Sequence, residues 1–167
     1  GILNRRDSPG PDHRLRSRGE VVLEVLDHAD AADAADALSD LEGLSYRSFN
    51  LIVADNRDAY WVKSAGADGG GEIEIAEIPE GLSMLTAFDL NDEASGRVTF
   101  HKPKFDAAPV PNVDNGNWAA WQQLLASTEY GDDTDHRDAM RISTDFGFAT
   151  LSSSLIALPS AELRERK

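Results

Sequence analysis

The stretch FNLIVADNRDAYWV, residues 49–62, constrains the fold more than any other part of the chain. Apolar residues alternate with their neighbours on both sides of a short polar cluster. A period of two residues is typical of a β-strand, because successive side chains point to opposite faces. Asn and Asp favour turns, because their short side chains bond their own backbone. The pattern therefore predicts a β-hairpin, with Asn56, Arg57 and Asp58 in its turn rather than in an active site.

Further strands are predicted on both sides of this hairpin. The opening letters GILN are typical of the end of a strand, and EIEIAEI at 72–78 alternates like one. The stretch LSMLTA at 82–87 is predicted to return as another strand. Between them, AGADGGG at 65–71 lacks the Lys and Ser/Thr of a phosphate-binding loop, so we expect only a turn. Successive strands with short connections predict an antiparallel sheet.

Two short helices are predicted between the opening strand and the hairpin. Ser17 is placed to cap a helix that begins near Gly19, with Glu20 in the first turn, where a negative charge is favourable. A second helix is expected after Asp30. The surrounding aspartates recur every three residues, at Asp27, Asp30, Asp33 and Asp36. A helix spreads such carboxylates apart, so the sequence favours a solvated face over a calcium site.

The second half of the chain has weaker signals. Asn91 or Asp92 is expected to cap a short helix, and residues 102–117 are predicted to be irregular. NWAAWQQLLAS predicts a helix whose inward stripe consists of Trp118, Trp121, Leu124 and Leu125. The polar loop at 129–138, which includes His136, is expected to be exposed rather than to bind metal. A glycine turn is then predicted to lead into a strand over 151–158.

The bulk composition limits the class of protein. A chain of 167 residues with 41% hydrophobic content is long enough for one domain, over 1–167. The net charge of -14 repels phosphate backbones, so no nucleic acid partner is expected. No apolar run reaches the ~18 residues of a membrane span. The absence of cysteine fits a reducing compartment, and a cytoplasmic location is expected. No cofactor or metal is predicted.

Four segments in order carry a family resemblance: LNRRD near the start, SRGEVVLEVL, FNLIVAD, and FGFATLSSSLIAL near the end. The chain resembles the transport and Golgi organisation 2 homologues, also called the NRDE family. LTAFDLND and NWAAWQQLL look like the bacterial branch of that family. Since Gly1 stands where an initiator Met is expected, the chain is expected to be a fragment with a partial domain.

The resemblance implies an α+β fold of the N-terminal-nucleophile-hydrolase-like class, an αββα sandwich of antiparallel sheets, incomplete in this chain. It also implies an exposed Cys nucleophile, followed by an Asn-Arg-Asp-Glu signature. The chain contains no Cys, and the signature survives only in degenerate form as Asn4, Arg5, Arg6 and Asp7. Near the end, Ala149 stands where the family often has Gly, and Leu151 where many members have Arg.

The resemblance further implies three candidate site residues. Asn4 matches the place where related acyl-amide hydrolases keep an oxyanion-binding amide, although an Asn that caps the following loop explains it equally well. The second polar group is expected to be Thr86 or Asn91. The implied function is hydrolysis of linear amides. The alternative is a binding protein for haem or an acyl lipid, with Trp61, Trp118 or Trp121 lining its cleft. The expected partner is a small molecule.

Overall fold

The structure, a computed structural model, describes residues 1–6, 8, 10 and 12–160. Among these, one compact unit comprises residues 1–81, 85–90 and 158–160, and a second comprises 82–84 and 91–157. Asp7 of the degenerate signature lies outside the described residues. The expectation of a single domain over residues 1–167 stays a prediction.

The first unit is built on a four-stranded antiparallel sheet. Its strands are β1 (Ile2–Asn4), β2 (Phe49–Ala54), β3 (Ala59–Ser64) and β4 (Ile73–Glu77), in the spatial order β1-β2-β3-β4. The predicted hairpin is confirmed, with Ile52 of β2 opposite Trp61 of β3. The opening strand is also confirmed, and it pairs with β2 at the edge of the sheet.

The turn between β2 and β3 is organised by one aspartate. Asp55 Oδ1 accepts hydrogen bonds from the backbone nitrogens of Arg57 at 2.7 Å and Asp58 at 2.9 Å. Because a carboxylate that bonds the following backbone forms a compact turn, local chemistry accounts for the polar cluster. The interpretation of these residues as a turn is confirmed.

Two helices of the first unit begin at the predicted caps. Helix α1 (Arg18–Val25) follows Ser17, which forms a capping box with Glu20. Helix α2 (Ala31–Ser39) follows Asp30, whose side chain accepts from the nitrogen of Asp33 at 2.9 Å. These side-chain bonds satisfy backbone donors that a helix start leaves unpaired.

The hydrophobic core lies between these helices and one face of the sheet. Its buried members are Val21, Leu38, Tyr46, Phe49, Leu51 and Val62. The alternation along β2 places Phe49 and Leu51 on this face, where burial of each side chain contributes roughly 1.5–3 kcal/mol. On α2 the alanines Ala31, Ala34 and Ala35 are buried, while Asp33 and Asp36 are exposed. The acidic run is therefore a solvated face, as predicted.

The strand predicted over 82–87 does not form. Asn50 projects from β2 on the face opposite the core, and its side-chain nitrogen donates to the carbonyl oxygens of Thr86 at 2.9 Å and Phe88 at 2.7 Å. These carbonyl oxygens accept hydrogen bonds from a side chain in the middle of the sheet, and not from the backbone of β4. The prediction was wrong because it assumed that residues 82–87 would pair with β4, the strand that precedes them in the sequence.

The second unit contains helix α3 (Gly96–Ala107) and helix α4 (Ala119–Leu125). Helix α3 begins after Ser95, so the predicted caps at Asn91 and Asp92 were wrong. Asn91 has a φ of 57°, whereas a residue that caps a helix start has extended backbone.

Helix α3 also extends through Pro103 into residues predicted to be irregular. The buried side chains of His101 and Phe105 hold the helix on both sides of this proline. Packing thus compensates for the hydrogen bond that proline removes. In α4, Trp121 packs edge-on against Phe105, with ring centroids 5.2 Å apart. The stripe of Trp118, Trp121, Leu124 and Leu125 is half-buried.

The strand predicted over 151–158 is also absent. The glycine turn before it is confirmed: Gly147 has a φ of 87°, and Ser143 and Ala149 form an antiparallel bridge around it. The described residues after Thr150 pair with no other described segment, and Leu151 and Ile156 are exposed. Apolar β-forming residues do not make a strand without a partner. In the described part of the chain, no helix has the length and apolar character needed to cross a membrane.

Candidate functional site

Asn4 lies at the end of β1, opposite Phe49 of β2. This register places its side chain on the face of the sheet that carries the core. The side chain is exposed, and its carboxamide makes no hydrogen bond with any described residue. The two amide hydrogens are therefore available to a ligand, and the described residues do not show the loop-capping bond that was the alternative explanation.

Asn4 forms part of the wall of a cleft of 690 Å³, which we call the Asn4 cleft. The cleft lies between β1 and the start of α1. Its other walls include Ile2, Arg18 of α1, Arg47 and the loop residues Asp12, His13, Leu15 and Arg16. A volume of several hundred Å³ is in the range of small-molecule sites.

Arg18 contributes a half-buried guanidinium to the Asn4 cleft. Its Nη1 donates to Ser8 Oγ at 3.0 Å and to the carbonyl oxygen of Ser48 at 3.0 Å. No carboxylate of the described residues pairs with it. Burial, and then the nearby positive charge of Arg47, lower the pKa of Arg18 from its ordinary value. The group remains a cation, because arginine titrates far above neutral pH.

Arg47 brings a second half-buried guanidinium to the same cleft. Its Nη2 lies 3.6 Å from Asp12 Oδ2, while Arg14 holds that same oxygen at 2.8 Å. The hydrogen bond from Arg14 holds the pKa of Asp12 well below its ordinary value, so Asp12 is ionised. The Nε of Arg47 is buried and has no hydrogen-bond partner among the described residues.

Thr86 lies on the opposite side of the sheet. Its carbonyl oxygen accepts from Asn50, and its Oγ1 accepts from the backbone nitrogen of Phe88 at 3.3 Å. Since Asn50 projects away from the core and Asn4 projects toward it, the structure does not bring Asn4 and Thr86 into one site. Thr86 shapes the backbone of 85–90 instead.

Asn91, in the second unit, also acts on the local backbone. Its Oδ1 accepts from the nitrogen of Met84 at 2.8 Å, and its Nδ2 donates to Ser83 Oγ at 3.3 Å. With a φ of 57°, it occupies the left-handed region that Asn tolerates better than most residues. Both ends of the carboxamide are thus used within a turn.

Sequence reasoning missed the polar cluster around Asn50. Besides its two donated bonds, Asn50 Oδ1 accepts from Arg5 Nη1 at 2.7 Å and from Trp61 Nε1 at 3.2 Å. Asn50 is completely buried. An Asn inside an apolar strand was the available signal, because Asn is depleted from strands and is costly to bury without partners.

Asp89 completes this cluster with two cations. Its carboxylate lies 2.6 Å from Arg5 Nη2 and 3.2 Å from Lys63 Nζ, and Lys63 also pairs with Glu74 at 2.9 Å. Burial opposes ionisation of Asp89, but the bonds from Arg5 and Lys63 outweigh it and lower the pKa of that carboxyl. The charges are matched, so this cluster anchors residues 85–90 to the sheet.

The remaining candidate sites give no metal or nucleophile arrangement. Within the described residues, no group of three or more His, Asp and Glu side chains is placed to hold a metal ion. Ser152 and Ser153 line a second cleft, of 550 Å³, together with Trp118, Leu125, Leu151 and Arg141. That cleft lies in the second unit, and none of its lining residues is a histidine or a carboxylate that could act as a base for these serines.

Comparisons of the chain with protein-family models, with curated proteins and with solved structures find no match.

Proposed function

We propose that the chain is the oxyanion-binding and substrate-binding part of an amide hydrolase of the NRDE family, with an N-terminal-nucleophile-hydrolase-like αββα fold. The observation that carries this proposal is the unpartnered carboxamide of Asn4 in the wall of a 690 Å³ cleft. The antiparallel sheet, with helices α1 and α2 on one face, is compatible with one half of such a sandwich. A small-molecule substrate and a cytoplasmic location belong to the same proposal.

In the proposed reaction, a Cys thiolate attacks the carbonyl carbon of a linear amide, and its own α-amine carries the proton to the leaving nitrogen. The carbonyl oxygen becomes an oxyanion that Asn4 Nδ2 stabilises by hydrogen bonding. Water then hydrolyses the thioester and regenerates the thiol. The chain itself contains no cysteine, so none of its residues supplies this nucleophile.

The test starts from the coding DNA upstream of Gly1, where the proposal expects an in-frame Met-Cys start. The protein that includes this segment is assayed against linear amides and thioesters. Asn4→Ala is expected to lower kcat by ~10² to 10³ with little change in substrate affinity, because the lost bond acts on the transition state. Arg57→Ala, in the hairpin turn, is the control and is expected to keep the full rate.

Three results would count against the hydrolase. They are the absence of a Cys codon upstream, the absence of turnover by the joined protein, and turnover that Asn4→Ala leaves unchanged. Circular dichroism of both variants separates a catalytic loss from unfolding.

A second candidate function, binding of haem or an acyl lipid, is favoured by the cleft of the second unit. Trp118, Leu125 and Leu155 give it apolar walls, and Arg141 adds a positive charge. Arg141 is exposed and forms no ion pair with any described residue. An apolar cleft with one unpaired guanidinium suits a hydrophobic molecule that carries a carboxylate. Trp121 instead packs on Phe105.

Titration of the chain with haemin and with a long-chain fatty acid tests this second candidate. Binding is followed by the haem absorption band or by tryptophan fluorescence. Trp118→Ala and Arg141→Ala are each expected to weaken binding, whereas Trp61→Phe, in the first unit, should not. Equal affinity in all variants would refute the assignment of this cleft.

A further inference from the structure

The Asn4 cleft contains more positive charge than its carboxylates neutralise. Arg18 and Arg47 both reach it as half-buried guanidiniums, and each is close enough to influence the other. Like charges repel more strongly where water is partly excluded. The rest of the chain has the opposite character, with a net charge of -14. The local excess therefore stands out against the overall composition.

The carboxylates nearby are already engaged. Glu20 pairs with Arg16 at 2.9 Å, and Asp12 is bound by Arg14 at 2.8 Å. Arg47 is 3.6 Å from Asp12, beyond hydrogen-bond distance, and Arg18 donates only to neutral oxygens of Ser8 and Ser48. Among the described residues, Arg18 has no carboxylate partner, and Arg47 shares the single negative charge of Asp12 with Arg14.

Arg47 also has a buried donor that no described residue satisfies. The Nε of Arg47 is inaccessible to solvent and has no hydrogen-bond partner among the described residues. Buried polar groups in proteins are nearly always bonded, so the surroundings of Arg47 satisfy its guanidinium incompletely. A ligand anion beside the Nη atoms would neutralise part of its charge.

We propose that the Asn4 cleft binds the anionic group of a small ligand, a carboxylate or a phosphate, between the guanidiniums of Arg18 and Arg47. The planar fork of a guanidinium matches both kinds of oxyanion. Asn4 lines the same cleft, where its free carboxamide can donate to a neutral carbonyl of the same ligand. The ligand is then an acidic amide or thioester, and that identification of it as a substrate rests on the proposed hydrolase function. The anion site itself rests only on the contacts above.

The site is tested on the chain alone, with inorganic phosphate and with succinate as probes, by calorimetric titration. Saturable binding of at least one probe is expected, and the relative affinities decide between phosphate and carboxylate. Arg47→Gln is expected to weaken binding at least tenfold. Arg57→Gln removes the same charge from the exposed hairpin turn and is expected to bind like the original chain.

Arg18→Gln is a second variant, and thermal melting shows whether it still folds after losing its bonds to Ser8 and Ser48. No saturable binding of either probe, or binding that Arg47→Gln leaves unchanged, would overturn the anion site. If the protein binds the anion but has no hydrolase activity, the anion site is supported and only the proposed hydrolase function is refuted. Hydrolysis of an acidic amide with unchanged KM in Arg47→Gln would overturn the substrate assignment.

Discussion

Asp55 Oδ2, in the turn between β2 and β3, accepts a hydrogen bond of 2.9 Å from the backbone nitrogen of Ala31, the first residue of α2. The other oxygen of the same carboxylate holds the turn itself. One side chain therefore joins the hairpin to the start of a helix. The backbone bonds from Ala31, Asp58 and Arg57 lower the pKa of Asp55 from its ordinary value.

Asp55→Ala is expected to destabilise the first unit by about 1–2 kcal/mol, because a helix start and a turn both lose their acceptor. Chemical denaturation followed by circular dichroism measures the change. Asp58→Ala serves as the control, since its exposed side chain accepts none of these bonds. Equal stability of the two variants would show that Asp55 does not couple the turn to α2.

Asn50→Ala is expected to cost about 3 kcal/mol, because it leaves buried carbonyls and the donors of Arg5 and Trp61 without their partner. Denaturant titration gives the free energy of unfolding. Asn56→Ala, in the hairpin turn, is the control. It removes the same carboxamide from a side chain that makes no hydrogen bond in the described structure, so the free energy of unfolding should change little. A loss below about 1 kcal/mol for Asn50→Ala would mean that solvent replaces these bonds.

His101 makes the stability of the second unit depend on pH. Burial, and then the positive charges of Lys104 and Arg97, lower the pKa of this histidine, against the opposing effect of the Glu129 and Asp138 backbone. The folded form thus resists protonation, whereas the unfolded chain binds a proton near pH ~6.5. The stability that comes from neutral His101 is fully present above that pH. It is lost as the pH falls toward the lower pKa that His101 has in the folded protein.

Thermal melting measured in steps of about half a pH unit, from about pH 7.5 to about pH 5, tests this dependence. His101→Phe should flatten the profile, whatever its effect on the melting temperature itself. His136→Gln, at an exposed position, should keep the slope of the original chain. An unchanged slope in His101→Phe would assign the pH dependence to other groups.

Gly66→Ala is expected to be far more damaging than Gly70→Ala. Both glycines have positive φ, 68° and 83°. Gly70 lies in the left-handed helical region, where an alanine costs about 1 kcal/mol, whereas Gly66 has a ψ of -177°, a region that essentially only glycine adopts. A Cβ on Gly66 would also clash with the backbone nitrogen of Ser48, whereas one on Gly70 would meet no described atom within 4 Å. The difference between the two unfolding free energies measures the close approach together with the extra backbone strain at Gly66, and equal values would argue against both.

The sequence predicted those elements whose bonds are local. Ser17 and Glu20 stand three positions apart, as a capping box requires, and Asp55 precedes the nitrogens that it binds. Both motifs are complete within a few letters, so the helix start and the hairpin turn could be predicted without knowledge of the fold.

The failures concern bonds between distant residues. The segment at 82–87 looked like a strand because nothing in its own letters shows that Asn50 binds its carbonyls. The charge of the Asn4 cleft was missed for a similar reason, since Arg18 and Arg47 meet only after β1, α1 and β2 have assembled. Asn4 itself was identified through a family resemblance rather than from its neighbours.

The attachment of residues 85–90 to the sheet combines neutral and charged bonds. The amide of Asn50 binds the carbonyls of Thr86 and Phe88, while Asp89 is held by Arg5 and Lys63. Dissolved salt screens partly exposed ion pairs but hardly affects a buried amide. Raising the ionic strength should therefore weaken the attachment of residues 85–90 at Asp89, while Thr86 stays bound to Asn50. The segment then detaches from the sheet at one end only.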